Sequence, residues 1–195
     1  MGWQAFIPAR GGLRRWLQAS GSLSARLAAT GETFNVQVLA QGRQPLTPDE
    51  SHALGPGGRR TGYAREVLLR VDGQALVFAR SVTAHADSLG AWRSVRGLGS
   101  RPLADVLFKR AGILRAPLAY SQLLRQSPLQ RHVASSWQAA TGVALGYQAL
   151  FARRSIFTRH GAALLVMEVF AAPASCWRWP EGTLQKNFKQ RKQAV

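Results

Sequence analysis

Two apolar runs, GYAREVLLRV and QALVFARSV, flank Asp72-Gly73, and two more, GYQALFARRSIFTR and AALLVMEVFAA, flank His160-Gly161. Runs of this length and composition predict strands, and a two-residue link that tolerates left-handed backbone angles predicts a tight hairpin at each site. TFNVQVLAQ at 33–41 alternates like a further strand. In SLSARLAAT, Leu23 and Leu27 lie four apart between Ser22, a candidate N-cap, and Gly31, a stop, which predicts a short amphipathic helix over 22–30. Residues 42–62, with Pro45, Pro48 and GPGGRR, predict a long loop with an acidic turn at Asp49 and Glu50. SRPLADVLFKRAGI predicts a helix starting near Pro102; 85–98 carries no clear pattern, and 115–141, with Leu118, Leu123, Leu124, Leu129 and Val133, reads as helix or irregular cover. The elements predict one α+β domain over 1–175, an antiparallel sheet with helices packed on one face, followed by a basic tail at 176–195.

Alternation along each strand sorts the charged residues by face. Tyr63, Arg65, Val67, Leu69 and Val71 share one face, and Glu66 and Arg70 the other. Arg80 falls in line with Leu76 and Phe78, Arg153 with Tyr147, Phe151 and Phe157, and Glu168 with Leu164, Val166 and Phe170. Glu168 is one of nine acidic residues in the chain and sits inside the apolar run AALLVMEVF. A carboxylate there is costly unless it is paired, hydrogen-bonded or protonated. The alternation therefore aims Arg65 and Glu168, with Arg80 or Arg153 as a further cation, into one apolar interior. Two readings of that interior stand: ion pairs that only hold the fold, or a mostly apolar pocket with a few converging polar groups. In a pocket, arginine suits the bidentate grip of a carboxylate, and a lone glutamate suits a hydroxyl or a proton transfer. That pairing describes a site for a small aromatic or cyclic carboxylic acid that also bears a hydroxyl.

Composition narrows the partners. A chain of 195 residues fits one domain, long enough to bury roughly 70% of the surface its unfolded form exposes. The 26 Lys+Arg against 9 Asp+Glu give +17 and a pI near 11.8, which favours an anionic partner: nucleic acid, a membrane surface or a small polyanion. Three of the four lysines, Lys186, Lys189 and Lys192, lie in the last ten residues, so an arginine-rich body carries a lysine-rich tail. MGWQAFIPARGG has no basic segment leading into an apolar stretch, so a cytoplasmic location is expected. The best apolar run, 162–174, falls short of the roughly 20 residues a membrane span needs. A single cysteine, Cys176, excludes an internal disulfide and has no base near it in sequence. His52, His85, His132 and His160 lack metal-ligand spacing, no G-x-S-x-G elbow occurs, and neither GPGG nor GLG completes a phosphate-binding pattern. No metal or cofactor is expected. The six tryptophans do not interleave with the basic residues as a base-stacking platform would, and no zinc-finger or helix-turn-helix pattern stands out, so no specific nucleic-acid partner is expected.

The series YAREVLLRVDGQALVFARSV, LGSRPLADVLF and LFARRSIFTRHGAALLVMEVF resembles the chorismate pyruvate-lyase family, over about residues 14–173. The resemblance implies conversion of chorismate to 4-hydroxybenzoate and pyruvate, the first committed step towards ubiquinone, without a cofactor. It implies a six-stranded antiparallel sheet and helical flaps that close over an internal ligand, with 22–30 and 102–110 as the candidate flaps. It puts the family's carboxylate-binding arginine on Arg65 and its hydroxyl-contacting glutamate on Glu168. Apolar substrate contacts fall on Leu103 and on Leu23, where the family can carry methionine. Arg80 or Arg153 is left as a candidate for the enolpyruvyl carboxylate. A monomer is expected. The same fold serves, by analogy, as the effector-sensing domain of certain bacterial repressors, so a sensor of small aromatic carboxylates is one alternative, and a basic nucleic-acid-binding module is another. The tail EGTLQKNFKQRKQAV lies beyond the resemblance and reads either as a solubilising end or as a peripheral contact with anionic lipid.

Overall fold

The computed structural model describes residues 2–108, 111–146 and 148–179. Along them run α1 (Gly11–Gln18), α2 (Leu23–Ala28), β1 (Phe34–Pro45), α3 (Pro48–Ala53), β2 (Thr61–Val71), β3 (Gln74–Thr83), α4 (Arg93–Arg96) and α5 (Ala104–Leu107). They are followed by β4 (Leu114–Arg115), β5 (Ala119–Leu123), α6 (Pro128–Thr141), β6 (Leu150–Arg159) and β7 (Ala162–Phe170). The strands form one antiparallel sheet in the order β1-β2-β3-β7-β6-β4, with β5 also paired to β6. The class is α+β as expected, with seven strands in place of six.

Both hairpins form where the dipeptides predicted them. Asp72 (φ 48°) and Gly73 (φ 76°) join β2 to β3, and His160 (φ 50°) and Gly161 (φ 76°) join β6 to β7. The first hairpin is not a plain ladder. Val71 pairs with Gln74 and Arg70 with Ala75, but Leu69 pairs with Val77, so Leu76 is an extra residue in β3. Its carbonyl accepts from the backbone N–H groups of Ala171 and Ala172 instead. A one-residue insertion moves every later side chain of the strand to the opposite face relative to its partner. Arg80 therefore sits across from Glu66, and Ser81 across from Arg65.

Helices cover both faces of the sheet, which corrects the expectation of cover on one. Trp16 and Leu17 of α1 and Leu23 and Leu27 of α2 pack on Val67, Leu69 and Phe170, and α4 and α5 extend that layer over Tyr63, Phe157 and Leu164. On the other face Val133 and Trp137 of α6 meet Leu68, Phe78 and Val169, while Ala53 and Leu54 at the end of α3 meet Ala64 and Val82. Cover on two sides is why β2 is buried without interruption from Gly62 to Leu69. Each large apolar side chain so enclosed contributes roughly 1.5–3 kcal/mol.

Three stretches depart from expectation. The predicted loop at 42–62 contains the end of β1 and then α3, held by a capping box: Thr47 Oγ1 accepts from the Glu50 N–H (3.1 Å) and Glu50 Oε2 from the Thr47 N–H (2.9 Å). The segment 115–141 is not helix throughout; β5 precedes α6, which Ser127 caps and Gly142 (φ 73°) ends. The body also continues past residue 175. Trp177 is 2% exposed, with its ring centroid 4.9 Å from that of Phe170 and 5.8 Å from that of Trp16. The tail expectation for 180–195 falls outside the described residues.

Candidate active site

On the α1–α2 face of the sheet, a partly enclosed cavity lies between the strands and a roof of short segments. Its floor is built from β2, β3, β7 and β6: Arg65, Val67, Ala79, Ser81, Val166 and Glu168, with Ser155 and Phe157 beyond them. The roof is Leu23 and Ser24 of α2, and Leu103, Ala104, Leu107 and Phe108 at α5, with Leu118 at one side. The two segments expected to be flaps thus meet over one space. Ser22 fixes the entry to α2 by accepting from the Ala25 N–H (3.0 Å), which orients Leu23, the first residue inside the helix.

Arg65 is 3% exposed. Its Nη2 donates to the carbonyls of Gly99 (2.7 Å) and Arg101 (3.1 Å), immediately before Pro102 and the α5 flap. Its Nε is buried and has no partner, and among the described residues no carboxylate forms an ion pair with it. Burial lowers the guanidinium's proton affinity, and neighbouring Tyr63 opposes that to a smaller extent. Arginine still stays charged, so a buried cation with an unused donor edge faces a largely apolar chamber.

Glu168 is not isolated in its strand. Arg153, its partner across the β6–β7 ladder, donates from Nε to Glu168 Oε2 at 2.5 Å. Arg153 is itself 1% exposed, and its Nη1 donates to the carbonyls of Trp16 (3.1 Å), Leu17 (3.1 Å) and Ala19 (2.8 Å). They lie at the end of a helix, where carbonyls run out of intrahelical donors; that of Trp16 also accepts from the Ala19 N–H (3.3 Å). One guanidinium therefore terminates α1 and holds the glutamate in place. The Glu168 side chain keeps 17% exposure, at the cavity.

Arg80 does not join this group. The bulge at Leu76 turns it to the other face, where Nε donates to Glu50 (2.6 Å) and Nη1 to Glu66 (2.5 Å) and Gln44 (2.6 Å). His132 Nε2 lies 2.8 Å from the same Glu66 oxygen. Burial works against the Glu66 charge, but His132 and Arg80 outweigh it and hold its pKa below the usual carboxylate range. The His132 pKa is raised, chiefly by its hydrogen bond to Glu66. Arg154 also leaves on that face, paired with Asp49 and stacked on Trp3. One cavity cation was missed in the sequence: Arg115, the last residue of the two-residue β4. No periodicity of two residues exists in so short a strand to mark it.

Comparison with known proteins bears on what such a chamber holds. The family model described as chorismate lyase matches residues 8–178. The chain belongs to the chorismate lyase family. A probable chorismate pyruvate-lyase of Albidiferax ferrireducens is 62% identical over 170 residues, covering 87% of this chain and 86% of that protein. Its counterpart from an Azoarcus species is 44% identical over 159 residues, 81% of this chain and 82% of that protein. Among solved structures, PhnF from Mycobacterium smegmatis superposes with a TM-score of 0.55 at 14% identity, over 79% of this chain and 65% of that one. The C-terminal domain of a histidine utilization repressor from Pseudomonas syringae gives 0.52 at 8% identity, over 77% and 97%. At such identities the likeness shows a shared fold. In this member of the chorismate lyase family, the four positions singled out by resemblance, Leu23, Arg65, Leu103 and Glu168, all line the same cavity.

Proposed function

We propose that the protein is a chorismate lyase, eliminating pyruvate from chorismate and releasing 4-hydroxybenzoate. The observation that carries this is Arg65: a buried guanidinium without an acid, its Nε unpartnered, in an apolar chamber that also presents Glu168. A ring carboxylate supplies the missing anion and accepts two parallel N–H bonds. Glu168, oriented by Arg153, accepts a hydrogen bond from the ring hydroxyl on the far side. Leu23 and Leu103 close apolar surface over the ring.

The chemistry asks little of the protein beyond placement. The C–O bond to the enolpyruvyl group breaks, a hydrogen leaves the neighbouring hydroxyl-bearing carbon, and that hydrogen is balanced by the one gained at the methylene of the leaving enolpyruvate, giving pyruvate. Aromatisation of the ring supplies the driving force. The cavity contributes a fixed reactive conformer, exclusion of water, and cations and dipoles set where charge shifts as the bond breaks. No step in this balance needs a redox partner.

Incubating the purified protein with chorismate and following pyruvate and 4-hydroxybenzoate tests the proposal. Stoichiometric release of both supports it; binding of 4-hydroxybenzoate without turnover would instead favour a sensor of aromatic carboxylates, a reading the fold likeness to repressor domains keeps in view. A cytoplasmic monomer and a place at the head of ubiquinone synthesis belong to the same proposal. So does a loose contact of Lys186, Lys189, Arg191 and Lys192 with anionic lipid. Deleting 182–195 should abolish co-sedimentation with anionic vesicles and leave turnover unchanged; equal sedimentation of both forms would remove the lipid contact from the proposal.

A further inference from the structure

Chorismate carries two carboxylates, and Arg65 accounts for one. Of the arginines that could take the second, Arg80 and Arg154 border the cavity but carry their guanidinium groups to the other side of the sheet, where they are paired with acids. Arg153 has its Nε on Glu168 and its Nη1 on three carbonyls of the α1 end. Arg115 differs from all three: it is a half-buried residue of the cavity lining whose guanidinium forms no ion pair among the described residues.

Its direction is fixed by what it touches. Arg115 pairs in the ladder with Phe157, yet its Nε lies 3.4 Å from Ser155 Oγ, one same-face step back along β6 towards Arg153 and Glu168. Its guanidinium is centred 5.3 Å from the Phe157 ring and 5.9 Å from the Phe108 ring. Both rings line the cavity as Arg115 does, so they hold its planar head at the cavity wall. Ser155 shares a row of the sheet with Val166, Ser81 and Arg65. Three strand spacings of about 4.8 Å put Arg65 and Ser155 about 14 Å apart at the backbone, a gap filled by two guanidinium groups with a substituted ring between them. Glu168 lies one row further, towards the Ser155 side of the cavity rather than the Arg65 side. Burial and the charge of Arg153 lower the Arg115 proton affinity, while Glu168 raises it, so these groups feel one another. In chorismate the enolpyruvyl ether is on the carbon next to the hydroxyl, and a cation beside Glu168 is where that carboxylate falls.

We propose that Arg115 binds the enolpyruvyl carboxylate of chorismate and so distinguishes the dicarboxylate substrate from the monocarboxylate product. This rests on the lyase proposal above and extends it to a residue outside the four assigned by resemblance. Arg65 holds the group common to substrate and product; Arg115 holds the one that leaves. As pyruvate departs, the contact departs with it, and 4-hydroxybenzoate is retained by the Arg65 end alone.

The test compares Arg115→Gln and Arg65→Gln with the unsubstituted protein, measuring KM and kcat for chorismate and the inhibition constant of 4-hydroxybenzoate. Losing a charge-assisted hydrogen-bonded contact is expected to raise the chorismate KM of Arg115→Gln about 10- to 100-fold, with the product constant within twofold. Arg65→Gln should weaken both. An unchanged chorismate KM in Arg115→Gln, or an equal loss for substrate and product, overturns the proposal. Should the glutamine variant not fold, Arg115→Lys carries the same test: it keeps the charge over the rings but loses the bidentate edge, so KM should rise by a smaller factor with product binding again unmoved, and no rise overturns the proposal. Failure of the underlying lyase reading shows separately, as absence of turnover in the unsubstituted protein.

Discussion

Replacing Glu168 by glutamine should leave the protein folded and remove most of its turnover, and the two effects can be kept apart by magnitude. The amide oxygen can still accept from Arg153 Nε, so the 2.5 Å contact loses its ionic half rather than its geometry. A hydrogen bond to a charged group contributes about 1.5–3 kcal/mol and a neutral one about 0.5–1.5, so the expected cost is about 1–2 kcal/mol. Arg153 keeps its three carbonyl partners, which prevents the larger penalty of a fully orphaned buried cation. Even from a total stability of only about 5 kcal/mol, about 3 would remain, which leaves more than about 99% of the molecules folded at 25 °C. Unfolding therefore cannot account for more than about 1% of any lost activity on that estimate. If Glu168 holds the ring hydroxyl or moves a proton, turnover should fall about 100- to 10,000-fold. Urea denaturation followed by tryptophan fluorescence gives the first quantity, and pyruvate release from saturating chorismate the second. Turnover within twofold of the unsubstituted protein would make Glu168 a residue that only completes the Arg153 pair. A stability loss above about 4 kcal/mol would refute the retained amide contact.

Arg80→Met should cost about 3–5 kcal/mol, because Glu50 and Glu66, both buried, lose their shared cation; the chorismate KM should stay within twofold, and a large rise would mean that Arg80 acts at the cavity after all. Arg153→Met should destabilise by a similar amount, since Glu168 and three carbonyls at the α1 end lose the Arg153 donors together, and a urea midpoint unchanged from the parent would contradict the link between α1 and Glu168. The His132–Glu66 contact predicts a pH dependence. The folded His132 pKa is raised by that contact, so its contribution is complete below the ordinary histidine range and is lost as pH rises through the raised value. Glu66, with its folded pKa lowered, gives way only on acidification and does not interfere above about pH 5. The urea midpoint of the parent should exceed that of His132→Gln by more at about pH 5.5 than at about pH 8.5; the reverse order would show that His132 is neutral in the fold.

Local chemistry determined the parts of this protein that depend on a few neighbouring residues. Asp72-Gly73 and His160-Gly161 specified two hairpins because only certain residues accept positive φ, and Ser22 specified the start of α2 because a helix end needs an acceptor for its free N–H groups. Strand parity put Arg65 with Val67, and Glu168 with Val166 and Phe170, on what proved to be the cavity face. The box Thr47-Pro48-Asp49-Glu50 was equally local and could have been read as a helix start, but the surrounding prolines and glycines drew it towards a loop. Tertiary structure alone decided the rest. β5 and β4 are too short to carry a pattern, and they are strands because the edge of β6 offers them partners. The face of Arg80 depended on a single extra residue at Leu76. With both sides of the sheet covered, the run 75–79 that contains the extra residue is apolar throughout, so no alternation records the shift in register; it appears only when the strands are paired. That shift sends Arg80 to Glu50 and Glu66, leaves Arg153 beside Glu168, and leaves Arg115, brought in from a loop-like segment, as a cation of the cavity wall without an ion pair among the described residues.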